Sequence, residues 1–153
     1  MNQRRIDRLI PLAFSVLVEE NGVAKKIFKT IGNEKKIVSA YKGYMSSIGP
    51  SIVQAGLIKT ITAFSKESKN TNEDKSITCK LIKQLLLADG HYSSADRNTE
   101  LNVILSHRID NKPTTVRISE EDRILEAIAA YKLVFDTYAK YDEKKEKNEV
   151  EHG

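Results

Sequence analysis

The chain has no tryptophan, one cysteine and three histidines among its 153 residues. A lone Cys79 excludes an internal disulfide and a thiolate metal site, and it fits a reducing compartment, so the cytoplasm is the expected location. It reads as a packing residue, not a nucleophile, because a catalytic thiol needs a base brought beside it. His91, His107 and His152 form no HExxH motif and no pair at zinc-ligand spacing. No apolar run approaches about 18 residues, so no membrane-spanning helix is expected. The opening MNQRRIDRLIPLAF is basic, without the apolar core and small-residue cleavage site of a signal peptide. GYMSSIG at 43–49 holds two glycines, but no Lys-Ser or Lys-Thr follows, so it is no phosphate loop. The acids are scattered. His91, Ser93 and Asp96 lie close in HYSSAD, yet triads assemble from distant positions, and this adjacency carries little. The expectation is a protein that is not an enzyme and holds no metal or cofactor.

What is present is ordinary in amount and uneven in placement. Apolar residues make up 40% and charged residues 30%, as in globular domains. This length favours one domain with a sizeable core. Residues 1–66 hold eleven Lys/Arg against four Asp/Glu, a balance of +7, while residues 67–153 hold fourteen against seventeen, a balance of −3. Such asymmetry suits a polyanion on one side of the molecule. On charge alone, a solvated lysine-rich surface is the simpler reading.

Helical spacing dominates. Ile6, Leu9, Ile10, Ala13, Phe14 and Leu17 recur at three and four, with Pro11 either kinking that helix or marking a late start. ENG at 20–22 reads as a break, with Gly22 able to take a left-handed end. VAKKIFKTI reads as a short basic helix and GNEKK as a loop. Asn72 suits the cap of a further helix, with Glu73 and Asp74 at its positive end and Ile77, Leu81, Leu85 and Ala88 along one face. Gly90 closes it. LNVILSHRI at 101–109 favours a helix, with a hairpin to TTVRI as the alternative. Ser119 reads as the start of the last helix, with Asp122 in capping-box position and Ile124, Ile128, Tyr131, Phe135 and Tyr138 on one face. The sum is an all-α bundle of about five or six helices, a single domain over 1–141, and a charged, disordered tail at 142–153.

One segment breaks the usual rules. YKGYMSSIGPSIVQAGLIKTITAF, residues 41–64, has helical apolar spacing yet carries three glycines and a proline. Ile48, Ile52 and Ala55 share one face, and Leu57, Ile61 and Phe64 a neighbouring one. Gly49 and Gly56, two turns apart, would fall near each other on one helix and admit a close backbone, so both are read as packing or interface positions. Each glycine costs about 1 kcal/mol relative to alanine. Pro50 implies that a helix restarts here, with Ser47 or Gly49 near its cap.

The same segment resembles the signature of the small helical subunit of type III-B CRISPR effector complexes, the Cmr small-subunit family. The resemblance rests on Tyr41, Lys42, Ser46, Ser47, Gly49, Ile52, Gln54, Gly56, Leu57, Ala63 and Phe64. RIDRLIPLAF near the start and EAIAAYKLVFDTYA near the end are similar to the family's first and last helices. Pro50 and the long polar stretch at 91–118 depart from the pattern. The resemblance implies an all-helical, non-catalytic subunit of an antiviral ribonucleoprotein. Copies of it stack into a filament with other Cmr subunits, beside the CRISPR RNA and its target, and contact RNA phosphates. A subunit serving any guide should not read bases.

On that reading the RNA-binding candidates are Lys35, Lys36 and Lys42, followed by Lys25, Lys26 and Lys29. Gln54 and Ser47 could add uncharged contacts, though capping or internal bonding suits them better. Two other classes compete: a helical scaffold or adaptor that touches no RNA, and a generic nucleic-acid-binding protein without base-specific recognition. The second lacks a visible helix-turn-helix with an Arg-, Asn- and Gln-rich recognition helix.

Overall fold

The computed structural model describes residues 1–19, 22–66 and 74–142. The fold is predominantly helical. Among the described residues, helix α1 spans Gln3–Val18, α2 Ser39–Ala55, α3 Leu57–Phe64, α4 Ser76–Ala88, α5 Leu101–Ile109 and α6 Thr114–Phe135. Three short strands accompany them: β1 Phe28–Ile31, β2 Glu34–Val38 and β3 Ala139–Tyr141. The strands form one sheet in the order β1-β2-β3, antiparallel between β1 and β2 and parallel between β2 and β3.

The sheet corrects the reading of 23–36 as a helix and a loop. Val23–Ile27 is a 3-10 turn, and the chain then extends into β1. Phe28, Thr30 and Ile31 favour a pleated strand, since aromatic and β-branched side chains lose rotamer freedom in a helix. Gly32 has φ +63° and, with Asn33, forms the two-residue turn between the paired Ile31 and Glu34. A glycine first in such a turn supplies the positive φ that lets a tight turn match the right-handed twist of its strands. Gly22 is extended instead of left-handed, with φ −83°; Glu20 and Asn21 lie outside the described residues.

Helix α1 runs straight through Pro11, capped by Asn2, whose side chain accepts from the Arg5 backbone N–H. Ile6, Leu9, Ala13 and Leu17 are buried as their spacing requires. Helix α2 likewise continues through Pro50, so neither Ser47 nor Gly49 caps a restart. The serines around Pro50 stay helical by bonding backwards: Ser51 Oγ donates to the Ser47 carbonyl at 2.9 Å, and Ser47 Oγ to the Tyr44 carbonyl at 3.2 Å. From outside the helix, Thr60 Oγ1 donates to the Ser51 carbonyl at 3.0 Å. The break falls six residues after the proline, at Gly56. Its φ of +99° and ψ of 157° suit glycine alone and separate α2 from α3. Gly49 and Gly56 therefore do not share a helix.

The sequence favours a helix at 101–109 over a hairpin, and α5 is that helix. The last helix starts at Thr114, directly after Pro113, five residues before Ser119. Proline fixes φ and prevents α5 from continuing, so it marks the boundary better than the acidic cluster at 120–122. The cap proposed at Asn72 with Glu73 lies outside the described residues, as do tail residues 143–153. Asp74 is described: its Oδ1 accepts from the Ser76 backbone N–H at 3.0 Å and from Ser76 Oγ at 2.6 Å.

One hydrophobic cluster joins all six helices and the sheet. Helix α6 contributes Ile124, Ala127, Ile128, Ala130, Tyr131, Val134 and Phe135, all buried. Tyr131 donates its buried hydroxyl to the Leu81 carbonyl of α4 at 2.5 Å. No helix of the described residues is long and apolar enough to cross a membrane.

Candidate nucleic-acid interface

The hairpin and the turn leading into it gather five of the six candidate lysines. Between 23 and 38 the chain holds Lys25, Lys26, Lys29, Lys35 and Lys36 against a single acid, Glu34. Lys29 pairs directly with Lys36 across the antiparallel ladder, so their side chains leave the same face. Like charges directly opposite repel, which raises the affinity of that face for an anion. Lys36 is half-buried and has a further interaction within the chain. Lys35 lies on the other face, with Nζ 4.2 Å from the centre of the Phe28 ring. Lys25 and Lys26 are exposed on the 3-10 turn that leads into β1. Strand β3 adds exposed Lys140, opposite Ile37. Sequence reasoning missed Lys140, because a parallel pairing across about a hundred residues leaves no local mark.

Lys42 stands apart. It lies in the first turn of α2, and its Nζ forms an ion pair with Asp136 Oδ1 at 2.9 Å. Gln54 and Ser47 are exposed on the outer side of α2. Gly49 is buried at the contact between α2 and α6, but a Cβ there would meet Ile128 Cγ2 at 3.9 Å and Leu125 Cδ2 at 4.0 Å, ordinary contact distances. Its packing within the chain would thus accept alanine. A Cβ at Gly56 would meet nothing within 4 Å, and only backbone conformation demands glycine there.

The buried carboxylates of α6 are committed to holding the fold. Glu126, on α6, has a fully buried side chain that takes two bonds from the Arg5 guanidinium, both 2.6 Å, and one from the Asn2 backbone N–H at 3.3 Å. Burial would raise its pKa, but Arg5 outweighs burial and holds the carboxyl below the usual range. Glu120 behaves alike. Burial opposes its ionisation, while His91 Nε2 at 3.1 Å and Arg108 Nε at 2.8 Å overcome that and lower its pKa. The Arg108 guanidinium also lies 5.2 Å from the centre of the Tyr92 ring.

HYSSAD resolves into separate duties. His91 turns to Glu120, while Asp96 Oδ2 accepts from the Ser93 backbone N–H at 3.1 Å and forms a capping box with it. Burial pushes the Cys79 thiol up to about 11, so it is little ionised at neutral pH. Among the described residues, no group of three or more His, Cys, Asp or Glu side chains is placed to hold a metal ion.

Fold and surface define a small helical domain distinguished by exposed positive charge on a hairpin. Residues 19–138, most of the chain, match the family described as CRISPR-associated protein (Cas_Cmr5), and the chain belongs to that family. It is thus a small Cmr-type, type III-B CRISPR-associated subunit, and the family implies membership of a multi-subunit complex. A search of curated proteins found no match, and neither did a search of solved structures. The family match leaves α1 and β3 outside its limits.

Proposed function

We propose that this chain is a non-catalytic subunit of a cytoplasmic antiviral ribonucleoprotein, stacking with copies of itself and contacting the backbone of the guide or target RNA through the lysines of the β1-β2 hairpin. The observation that carries the RNA contact is the clustering of Lys29, Lys35 and Lys36 on the β1-β2 hairpin with Lys25 and Lys26 on the turn that leads into it. Ammonium groups meet phosphates without reading bases, which is what a subunit serving any guide requires. Membership of the Cas_Cmr5 family supplies the complex in which such contacts would form. Lys42 makes the smaller contribution, since an RNA phosphate must compete with Asp136 for it.

The test is photo-crosslinking of target RNA in a reconstituted Cmr complex, with peptides mapped by mass spectrometry. Crosslinks should concentrate in residues 23–38. A complex that assembles and binds target while this subunit yields no RNA crosslink would return it to the class of pure scaffolds. Turnover of RNA by the purified chain, lost on changing a named side chain, would overturn the non-catalytic assignment.

A further inference from the structure

Beside the hairpin lies an open groove of about 480 Å³ that phosphate contact alone leaves unused. Leu17 and Val18, at the end of α1, and Phe28 of β1 form its apolar part, and Lys25 and Lys35 line it with Glu19. Val18 is 59% exposed, so this apolar surface is open to solvent. The Phe28 ring packs against Tyr138 at 4.8 Å between centres and carries the Lys35 ammonium over its face.

We propose that this groove seats one unpaired nucleotide of an RNA strand lying on the hairpin, its base stacked on Phe28 and its phosphate held by Lys25 and Lys35; the inference rests on the RNA-contact reading above. Phe28 is half-buried, and the ring face under Lys35 is the one a base could reach; an aromatic face beside flexible cations is an arrangement by which proteins hold single-stranded nucleic acid without sequence preference. The ammonium over Phe28 is held by a weak interaction on a flexible stem, and a stacked base exceeds it. As the base enters, Lys35 moves onto the phosphate, where it forms a charge-assisted bond. Two ammonium groups against the one carboxylate of Glu19 leave the described lining positive. Among the described lining residues Thr30 is the one uncharged polar side chain, too few groups to tell one base from another, so stacking would supply most of the hold on the base.

The experiment is an NMR titration of the full chain with uridine 5′-monophosphate, and separately with ribose 5-phosphate, which carries the same phosphate without a base. The expected result is movement of the Phe28 ring and Val18 methyl signals with the nucleotide and not with the sugar phosphate. Phe28→Leu should weaken nucleotide binding about tenfold, and Phe28→Tyr should retain it. Equal shifts with both compounds, or no shift at the groove with either, overturns the assignment. A parallel titration with oligouridylate separates the two readings. If it moves Lys29 and Lys36 in a salt-dependent way while the groove stays still, backbone contact stands and the nucleotide seat falls. If it moves neither, both fall.

Discussion

The hairpin and the long helix α6 use charge in opposite ways. On α6, Glu120 and Glu126 are buried and each is bonded to an arginine of another helix, Arg108 and Arg5, so their charge is spent on joining helices. On the hairpin and the turn before it, five lysines stand against one acid, and Lys29 faces Lys36 directly. Charges inside the first arrangement are matched at short range, whereas those of the second lack enough acids on the same segment to match them. The contrast explains how one chain can be ordinary in overall charge and still carry a patch for a polyanion. It also separates residues whose loss should unfold the protein from residues whose loss should leave it folded and impaired.

The largest effect is expected at Glu120. Glu120→Ala leaves His91 and Arg108 facing each other without their anion and should cost about 2–3 kcal/mol, below the usual range for a fully buried pair because Arg108 is partly exposed. Urea denaturation measures this, and a loss under about 0.5 kcal/mol, the ordinary level for a surface change, would erase the distinction between the two regions.

Acid should act through the same carboxylates. Glu120 and Glu126 both have pKa values below the ordinary carboxylate range in the folded chain. Their stabilisation is therefore full above the unfolded carboxylate pKa and is lost as pH falls through the depressed folded values. The urea midpoint should drop from about pH 5 downward, and Glu120→Gln should flatten that drop. An identical acid profile in the variant would mean that other groups govern acid stability.

Replacing Lys29 and Lys36 together with Ala should change stability by less than about 0.5 kcal/mol in either direction, and the sign sharpens the contrast: relief of their mutual repulsion predicts no loss. Lys42→Ala should also cost little, about 0–1 kcal/mol, since its partner Asp136 is 67% exposed. A loss well beyond that range in thermal melting would place Lys42 with the α6 charges, not with the surface.

Helices α1, α4, α5 and the body of α6 are legible from three-four apolar spacing, although Ala88 of the face marked on α4 is exposed and that helix also buries Cys79, Ile82 and Leu86. The start of α6 is misread because Ser119 with Asp122 imitates a capping box, while one acid of that cluster, Glu120, is turned inward by Arg108 and His91. The hairpin carries a signal that lysines obscure: Gly32-Asn33 sits between β-branched and aromatic residues, a pairing typical of tight turns. The pairing of β3 with β2 and the Arg5–Glu126 bond have no local signal, as their partners lie about a hundred residues apart. At the candidate site, composition marks the lysines. Only the fold shows that three share one hairpin, with two more on the turn before it, while Lys42 is engaged by Asp136.

The most direct test of the central claim is target-RNA affinity of the reconstituted complex as a function of salt, with the native subunit and with Lys29→Ala/Lys35→Ala/Lys36→Ala, for two unrelated guides. Each lost phosphate contact should flatten the slope of log affinity against log salt by roughly 0.7–0.9. Affinity should fall alike for both guides, because phosphates carry no sequence. A triple variant that assembles normally and keeps both affinity and salt slope would contradict the account and leave the hairpin an ordinary solvated surface.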